Sequence, residues 1–258
     1  MGADKKIIIF DLDGTLTKSK ANLDREMSVF LCKLLKKIKV AIIGGGNYIQ
    51  FKKQLLAPFN NYLNNNLKKN EIAPVLNNLF ILPTSGAAFY EYQKNTWRQI
   101  YKNVLTPQEK KKILAAFKKS FQAVNYRQPQ KIYGKVIEDR GMQITFSSLG
   151  QKAPLAKKIE WNARCNGIRV KLCLFLQKNL PEFEARLGGL TSIDITKKGI
   201  DKAYGISQIL KQLSLNKKEA VYVGDALYKG GNDYAVKKTG IDTISVKNEK
   251  EIKNLTLK

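Results

Sequence analysis

The sequence predicts an α/β fold with a mostly parallel central sheet and an inserted α+β segment. The main evidence is a set of short, continuous apolar runs, typical of strands covered on both faces: Ile7–Phe10, Val40–Ile43, Leu79–Leu82 and Ala220–Val223. Amphipathic stretches with helical spacing lie between these runs, as from Met27 to Ile38. Because strands and helices alternate in this order, we expect an open parallel sheet with helices on its faces.

The middle of the chain has a different pattern, which indicates a separate insert. Thr106–Glu109 is a capping box with proline at the first helical position, and it opens a long amphipathic helix. Lys135–Ile137 and Gln143–Ser147 flank Arg140-Gly141, which predicts an antiparallel hairpin. The expected domains are a core of residues 1–87 and 197–258 and an insert of residues 88–196.

The composition restricts the chemistry that is available. The chain has no histidine and a formal net charge of +25, so catalysis would depend on carboxylates, lysines, hydroxyls or a bound metal. A basic surface can attract nucleic acid, an acidic membrane or a small phosphorylated substrate. The seven arginines are scattered without interleaved aromatics, which argues against nucleic acid and favours a solvated, lysine-rich surface.

Further features of the composition predict a cytoplasmic location. The three cysteines lack CxxC spacing, as is typical of free thiols in a reducing compartment. The apolar runs are too short to cross a bilayer, and the charged N-terminal residues precede no apolar signal region. We therefore expect no association with a membrane.

Two carboxylates follow the first predicted strand directly. Asp11 and Asp13 lie where open α/β sheets bind ligands, and Gly14 allows a tight turn beneath them. Asp225 follows the strand Ala220–Val223 and would project from the same edge. Oxygens from Asp11, Asp225 and the backbone carbonyl of Asp13 would suit an octahedral Mg²⁺.

This arrangement predicts phosphoryl transfer with Asp11 as nucleophile and Asp13 as proton shuttle. Lys202, at the start of a predicted helix, would hold the anionic phosphoryl oxygens. Each element has a structural alternative, because Asp-x-Asp-Gly-Thr can be a surface turn and Lys202 a solvated helix residue. Their combination at two strand ends favours the catalytic interpretation.

These segments resemble a known superfamily. DLDGTL at 11–16, Lys202, and Gly224-Asp225 with Asn232-Asp233 resemble the first, third and fourth motifs of the haloacid dehalogenase (HAD) superfamily. The insert resembles the C2B-type cap of its subfamily IIB. GDALYKGGNDYAV at 224–236 and the segments 134–151 and 191–205 are similar to eukaryotic-type phosphomannomutases. The resemblance implies a Rossmann-like three-layer HAD core with a C2B-type cap.

The resemblance also implies roles for individual residues. Asp11 would be the nucleophile, Asp13 the acid/base, Lys202 the phosphate-binding lysine and Asp225 a magnesium ligand. Asn232 and Asp233 would complete the coordination of the metal or support its ligands. The cap residues that would face the substrate are Arg140, Ser192 and Asp194.

The second motif of the superfamily departs from its usual form. It normally offers a serine or threonine hydroxyl at the end of the second strand, where this chain has Gly44, Gly45 and Gly46. Their backbone N–H groups could form an anion-binding nest in its place. The alternative is a plain flexible turn.

The cap of this chain departs from the mutase pattern more strongly. A mutase that works through a sugar bisphosphate holds a second phosphate with cap arginines, because a guanidinium binds phosphate in a bidentate manner. Only Arg140 matches, and Lys20, Tyr133 and Gln151 stand where other arginines are expected.

Three functions therefore remain open. They are a phosphomannomutase-like transfer between the 1 and 6 positions of a hexose phosphate, a IIB-type phosphatase acting on small phosphorylated metabolites, and a non-catalytic basic binding protein. The first two share every core residue and the expected partner, a sugar phosphate. A homodimer through the cap is a further expectation.

Overall fold

A computed structural model describes residues 4–253 of the chain. Within this range the chain forms two compact units, one made of residues up to 102 together with those from 201 onward, and one made of residues 103–200. The first is the core unit and the second is the cap unit.

The core unit is built on a seven-stranded sheet in the order β11-β10-β1-β2-β3-β4-β5. Its strands are β1 (Ile7–Asp11), β2 (Lys39–Ile43), β3 (Leu79–Leu82), β4 (Ala88–Gln93), β5 (Thr96–Lys102), β10 (Ala220–Gly224) and β11 (Asp242–Ser245). The strands from β11 to β3 are parallel, whereas β4 and β5 add an antiparallel hairpin at one edge. The predicted α/β fold class with a mostly parallel sheet is confirmed.

Helices cover this sheet on both faces. They are α1 (Arg25–Leu35), α2 (Tyr48–Phe51), α3 (Ala57–Asn66), α4 (Lys69–Leu76), the short turn α5 (Pro83–Gly86), α8 (Lys202–Gln212) and α9 (Glu249–Lys253). A π-helical turn, Lys52–Leu56, joins α2 to α3, and the segments Lys217–Glu219 and Tyr234–Thr239 are 3₁₀ helices.

Burial on both faces explains the apolar runs in the sequence. On one face of β1, Ile7 and Ile9 lie in a cluster with Ile206 and Ile209 of α8. On the other face, the ring of Phe10 meets that of Phe30 of α1 edge-on at 6.3 Å. Because helices cover both faces of such a strand, apolar residues occupy every position. A strand with one exposed face would instead alternate apolar and polar residues.

The cap unit is a four-stranded antiparallel sheet in the order β6-β7-β9-β8 with two helices. Its elements are α6 (Pro107–Ala123), β6 (Ile137–Asp139), β7 (Ile144–Ser147), α7 (Leu155–Asn179), β8 (Phe183–Leu187) and β9 (Ser192–Lys197). The predicted capping box at Thr106 is present, and the predicted hairpin forms by antiparallel pairing of β6 with β7. Ala153–Trp161 and Lys171–Lys178 are separate apolar stretches in the sequence, and from residue 155 onward both lie in the single helix α7.

The predicted boundaries of the insert, 88 and 196, differ from those of the cap unit. Residues 88–102 belong to the core unit because β4 pairs with β3 and so extends the core sheet. At the other end, residues 197–200 belong to the cap unit, where β9 continues to Lys197. The boundary at 87 was wrong because β4 and β5 carry mixed polar and aromatic residues that do not resemble the buried runs of the core.

Two further features concern the lengths of the helices and the state of the cysteines. Between residues 4 and 253, no helix is both long enough and apolar enough to cross a lipid bilayer. The three cysteines are free thiols, with Cys32 and Cys173 buried and Cys165 half-buried.

Candidate active site

The candidate site lies at the carboxyl ends of two neighbouring parallel strands. β1 ends at Asp11 and pairs in register with β10, where Phe10 lies opposite Val223. Gly224 closes β10, and Asp225 follows it. Adjacent parallel strands bring residues that are far apart in sequence to one edge of the sheet, where α/β proteins bind their ligands.

Three carboxylates converge at this edge. Asp11, Asp225 and Asp233 each offer an oxygen, and these oxygens all lie within 4.8 Å of one another. Asp11 and Asp233 are buried, and Asp225 is half-buried. The hydroxyl of Thr15 donates a hydrogen bond of 3.2 Å to Oδ1 of Asp225, and the backbone N–H of Ala226 donates one of 3.1 Å to Oδ2 of Asp233.

The ammonium group of Lys202 bridges two of these carboxylates. Lys202 is the first residue of α8, and its side chain is only 2% exposed. Its Nζ lies 2.5 Å from Oδ1 of Asp11 and also forms an ion pair with Oδ1 of Asp233. Tyr222 completes the group, because its hydroxyl donates a hydrogen bond of 2.7 Å to Oδ1 of Asp233.

Burial perturbs the protonation equilibria of the cluster. Desolvation raises the pKa of Asp11 to about 7, although Lys202 opposes this shift. Burial and the neighbouring Asp233 carboxylate also raise the pKa of Asp225. For Lys202, burial acts to lower the pKa, but Asp11 and Asp233 outweigh it and raise the value to about 12. The lysine is therefore a fixed cation between two carboxylates.

The donor set fits a hard divalent cation. Oδ2 of Asp11 is buried and has no hydrogen-bond partner among the described residues, which is costly for a carboxylate oxygen unless a cation or a ligand binds it. Three carboxylates stand against one ammonium group in the cluster, so negative charge is in excess. Oxygen ligands of this kind suit Mg²⁺.

Glycines allow the carboxylates to approach each other. A Cβ on Gly14, whose φ is +95°, would lie 2.5 Å from Oδ2 of Asp225. A Cβ on Gly224 would overlap the Asp233 carboxylate and the ring of Tyr222. The glycines of the DLDGTL and GD segments thus provide space for the cluster.

The carboxylate of Asp13 is not one of the three that converge in this cluster. Its Oδ1 accepts hydrogen bonds of 2.6 Å from the backbone N–H of Lys20 and 2.8 Å from Nε2 of Gln54. Asn232 is exposed and is not part of the cluster, whereas its neighbour Asp233 is fully buried within it. The structure therefore brings together Asp11, Asp225, Asp233 and Lys202, but leaves the side chains of Asp13 and Asn232 outside.

The glycine run follows β2, the strand next to β1 in the sheet. The N–H of Gly44 donates to the carbonyl of Leu82, so the prediction that Gly44 contributes to an anion nest is wrong: its donor is already used in the sheet. The carbonyls of Gly44 and Gly46 accept bonds from Ser85 and Thr84. Gly45 is exposed, and a Cβ there would meet nothing within 4 Å.

Within the cap unit, the predicted substrate residues lie on or beside the sheet. Ser192 and Asp194 alternate with buried Ile193 and Ile195 along β9, so they share the polar face of the cap sheet. Thr145 pairs with Asp194 across the strands, and its hydroxyl donates a 2.7 Å bond to Oδ1 of Asp194.

Arg140 lies beyond the end of β6 and has two partners in the cap. Its Nε donates to Oε2 of Glu138 at 2.7 Å, and its Nη2 donates to Oε1 of Gln151 at 3.1 Å. The guanidinium is thus held by groups of the cap itself.

Sequence reasoning missed three residues of the core site: Thr15, Gln54 and Tyr222. Thr15 belongs to the DLDGTL segment and could have been included on that ground. Tyr222 is a polar group inside a buried strand, which is a signal for a buried hydrogen-bond partner. Gln54 lies in an amphipathic stretch and gives no such signal.

The fold and the site define an enzyme of the HAD type. In the mostly parallel core sheet the inner strand β1 ends in the buried Asp11, which pairs with Lys202 of α8 and lies beside two further carboxylates. Residues 27–254 match the family model for eukaryotic phosphomannomutase, and the chain belongs to this family.

Curated relatives of similar length agree with this assignment. The chain is 27% identical over 246 residues to phosphomannomutase 1 of Mus musculus, a match that covers 91% of this chain and 85% of the mouse protein. It is 25% identical over 236 residues to the phosphomannomutase of Saccharomyces cerevisiae, covering 89% of this chain and 84% of the yeast protein.

Solved structures with the same fold are more distant in sequence. An IMP-bound, N-terminally truncated IMP-nucleotidase of Plasmodium falciparum superposes with a TM-score of 0.70 at 17% identity, covering 98% of this chain and 67% of the other. A haloacid dehalogenase-like hydrolase from Bacteroides thetaiotaomicron gives a TM-score of 0.56 at 18% identity, with coverage of 91% and 85%. At these identities the likeness concerns the fold alone.

Proposed function

We propose that this protein catalyses Mg²⁺-dependent phosphoryl transfer on a hexose phosphate through an aspartyl-phosphate intermediate at Asp11, as a phosphomannomutase-like enzyme. One observation carries the proposal: the two oxygens of Asp11 have different surroundings. Oδ1 is held by Lys202 at 2.5 Å, whereas Oδ2 is buried and none of the residues 4–253 donates a hydrogen bond to it. A carboxylate fixed by one oxygen presents the other to an electrophile, as a nucleophile must.

The chemical step begins with attack of Oδ2 of Asp11 on phosphorus. The bond between phosphorus and the sugar oxygen breaks, and Asp13 donates a proton to that leaving oxygen. An acceptor hydroxyl then attacks the phosphorus of the aspartyl phosphate and gives its proton to Asp13, which restores Asp11. In the resting site Lys202 is cationic, since Asp11 and Asp233 outweigh its burial and raise its pKa to about 12, and it neutralises charge on both carboxylates.

Asp11, Asp225 and Asp233 would hold the magnesium ion, with the backbone carbonyl of Asp13 as a further ligand and Asn232 as a support. When bound, Mg²⁺ would supply electrostatic stabilisation for the transferring phosphoryl group. In the core, the N–H groups of Gly45 and Gly46 would contact the phosphate in place of the missing second-motif hydroxyl. In the cap, the proposed substrate contacts are Arg140, Ser192 and Asp194.

A phosphatase is the second candidate, and the cap arginines favour it. Besides Arg140, Arg186 donates a 3.1 Å bond to the carbonyl of Ile200 and lies 3.6 Å from Glu184. Arg169 is buried and donates to the carbonyls of Gly188 and Gly189. Each of these three guanidinium groups already has partners in the cap, so a second phosphate bound by one of them would have to displace a partner.

Phosphorus NMR distinguishes the two candidates. The purified protein is supplied with Mg²⁺, mannose 1-phosphate and a catalytic amount of a hexose bisphosphate. Conversion to the 6-phosphate supports the mutase, and inorganic phosphate as the main product supports the phosphatase. Asp11→Asn is the control, because it removes the nucleophile with almost no change in shape.

The absence of any turnover would have a different meaning. If the wild-type protein and Asp11→Asn were equally inactive on a panel of phosphate esters, the enzymatic proposal would fail and a basic binding protein would remain. We further propose a cytoplasmic location and a homodimer formed through the cap. Sedimentation of the purified protein tests the dimer independently of activity.

A further inference from the structure

Gln54 connects the helical layer of the core unit to the catalytic loop, which is the loop that follows β1 and carries Asp13 and Thr17. Its side chain is buried, and Nε2 donates hydrogen bonds of 2.8 Å to Oδ1 of Asp13 and 2.9 Å to the hydroxyl of Thr17. Oε1 accepts a 3.3 Å bond from Gln50 one turn earlier, which fixes the orientation of the amide. The side chain is therefore fully bonded and positioned from both ends.

The backbone at Gln54 is unusual as well. It lies in the π-helical turn Lys52–Leu56, in which the N–H of Ala57 bonds to the carbonyl of Lys52, five residues earlier. π turns are rare and occur often at functional sites. This turn separates α2 from α3 in an otherwise continuous helical stretch.

Pro58 explains why the turn occurs here. A proline lacks the N–H that would bond to the carbonyl four residues earlier, and its ring conflicts with that carbonyl. The carbonyl four residues before Pro58 is that of Gln54. Freed from the helix, this carbonyl accepts a 2.8 Å bond from the N–H of Leu23, in the segment that leads from the catalytic loop to α1.

Both hydrogen bonds to Asp13 fall on the same oxygen. Gln54 and the N–H of Lys20 donate to Oδ1, and within residues 4–253 no protein group donates to Oδ2. A carboxyl held in this way has one defined orientation and a single oxygen left for proton exchange.

We propose that Gln54 is a positioning residue for the acid/base function of Asp13, and that Pro58 sets its position by enforcing the π turn. This inference rests on the proposed function, because it takes Asp13 as the proton donor to the leaving oxygen. In this scheme Gln54 itself contacts neither the substrate nor the magnesium ion, and its Nε2 donates to the side chain of Asp13 and to the hydroxyl of Thr17. It acts by holding one carboxylate oxygen so that the other meets the leaving group.

The test uses the dependence of rate on the leaving group. When the P–O bond of a hexose 6-phosphate breaks, the sugar oxygen leaves as a basic alkoxide and needs a proton. When that of p-nitrophenyl phosphate breaks, p-nitrophenolate leaves as a stable anion and does not. The value of kcat/KM covers the steps up to release of the leaving group. In Gln54→Met, which keeps length and volume but loses the donor, we expect kcat/KM for the hexose phosphate to fall about 10- to 100-fold. The value for p-nitrophenyl phosphate should stay within about 3-fold of wild type.

A role in folding alone would give a different result. If both substrates lost the same factor, or if neither changed, the positioning role would be refuted. Gln99→Leu, which removes a glutamine that accepts a bond from Tyr90 on the core sheet, is the matched control and should not change the ratio of the two substrates. If the wild-type protein did not act on hexose phosphates, the proposed function would fail, and phenyl phosphate would replace the hexose in the comparison.

Pro58→Ala tests the same inference without altering the side chain of Gln54. Alanine restores the missing N–H and allows a regular α-helix, in which the carbonyl of Gln54 would turn back from Leu23. We expect a smaller loss with the same selectivity for the poor leaving group, about 3- to 10-fold. If Gln54→Met does not fold, Pro58→Ala serves as the test. A ratio of the kcat/KM values for the two substrates equal to that of wild type would refute the inference.

Discussion

The Nζ of Lys202 lies 2.5 Å from Oδ1 of Asp11, although the two residues are 191 positions apart in the chain. The same ammonium group also pairs with Asp233, and all three side chains are buried. One cation thus holds two carboxylates in a site from which water is largely excluded. Loss of the cation would leave two carboxylates buried without their ion pair, so the proposed nucleophile is held by a contact that we expect to support the fold as well.

Replacement of Lys202 by methionine should therefore harm stability as well as activity. The variant would leave Asp11 and Asp233 buried without their cation, which costs roughly 3–5 kcal/mol for a broken buried pair. Turnover should fall at least about 100-fold, because the nucleophile loses its fixed orientation. Urea unfolding in EDTA measures the first effect and single-substrate kinetics the second.

Lys211→Met is the control for this variant. Lys211 lies in the last turn of the same helix and is exposed, so its loss should change the free energy of unfolding by less than about 0.5 kcal/mol. An unfolding free energy of Lys202→Met equal to that of this control would show that the buried ion pairs contribute nothing.

Magnesium should stabilise the protein increasingly as the pH rises. Burial raises the pKa of Asp11 from 3.8 to about 7, so the folded state favours the protonated carboxyl. The stability that this group contributes is fully present below pH 3.8 and is lost as the pH rises through about 7. The proposed site would bind Mg²⁺ through the ionised form of Asp11, which would offset that loss. The difference in Tm between samples with Mg²⁺ and with EDTA should therefore be larger at about pH 8 than at about pH 5.5.

Asp11→Asn checks the origin of that pH dependence. Asparagine does not titrate, so the difference in Tm should change much less with pH in this variant. If the difference in Tm between Mg²⁺ and EDTA changed with pH equally in wild type and in Asp11→Asn, the pH dependence would come from other groups.

Much of the fold and of the core site follows from local sequence. The unbroken apolar runs at Ile7–Phe10 and Ala220–Val223 require strands that are buried on both faces, and parallel neighbours place Asp11 and Asp225 at one edge. Lys202 was expected at the start of a helix, and it is the first residue of α8. In these cases the chemistry lies directly beside the element that positions it.

Other features depend on packing that the sequence does not display. Gln54 reaches Asp13 across 41 positions, and nothing in its own segment distinguishes it from a solvated glutamine. Asp233 was expected to support the metal site or complete its coordination, and it is one of the three carboxylates of the cluster. Its bonds from Lys202, Tyr222 and the N–H of Ala226 could not be read from the sequence. The hairpin of β4 and β5 was missed because edge strands carry mixed residues.

Gly14→Ala should weaken magnesium binding. The new Cβ would lie 2.5 Å from Oδ2 of Asp225, and alanine is strained at a φ of +95°. Displacement of a ligating carboxylate should raise the Mg²⁺ concentration needed for half-maximal activity about 10-fold. A titration of activity against Mg²⁺ measures this, and calorimetric Mg²⁺ binding gives a readout that is independent of turnover.

Gly167→Ala provides the opposite control. Gly167 lies inside α7, and a Cβ there would meet nothing within 4 Å. Alanine should stabilise the helix by about 1 kcal/mol and leave the magnesium requirement unchanged. An equal magnesium requirement in both variants would mean that Gly14 does not control the position of Asp225.

Substitutions of Arg140 and Glu138 test whether the cap binds a second phosphate group. Arg140→Ala should raise the KM for a hexose phosphate about 10-fold or more, with little change for p-nitrophenyl phosphate, which lacks the sugar. The control is Arg164→Ala, because Arg164 is exposed and pairs only weakly, at 3.4 Å, with Glu160 on α7. A parallel loss on both substrates would place Arg140 outside the substrate contacts.

Glu138→Gln extends this test, since Glu138 competes for the guanidinium. Oε2 of Glu138 accepts a 2.7 Å bond from Nε of Arg140, and a phosphate would have to displace that carboxylate or bind beside it. Removing its charge should strengthen the binding of a hexose bisphosphate by Arg140. The ratio of the two products, hexose 6-phosphate and free phosphate, should then rise by about 3- to 10-fold. The same NMR assay measures the ratio. An unchanged ratio, together with release of free phosphate as the main product, would mean that the cap has no second phosphate site and that the enzyme is a phosphatase.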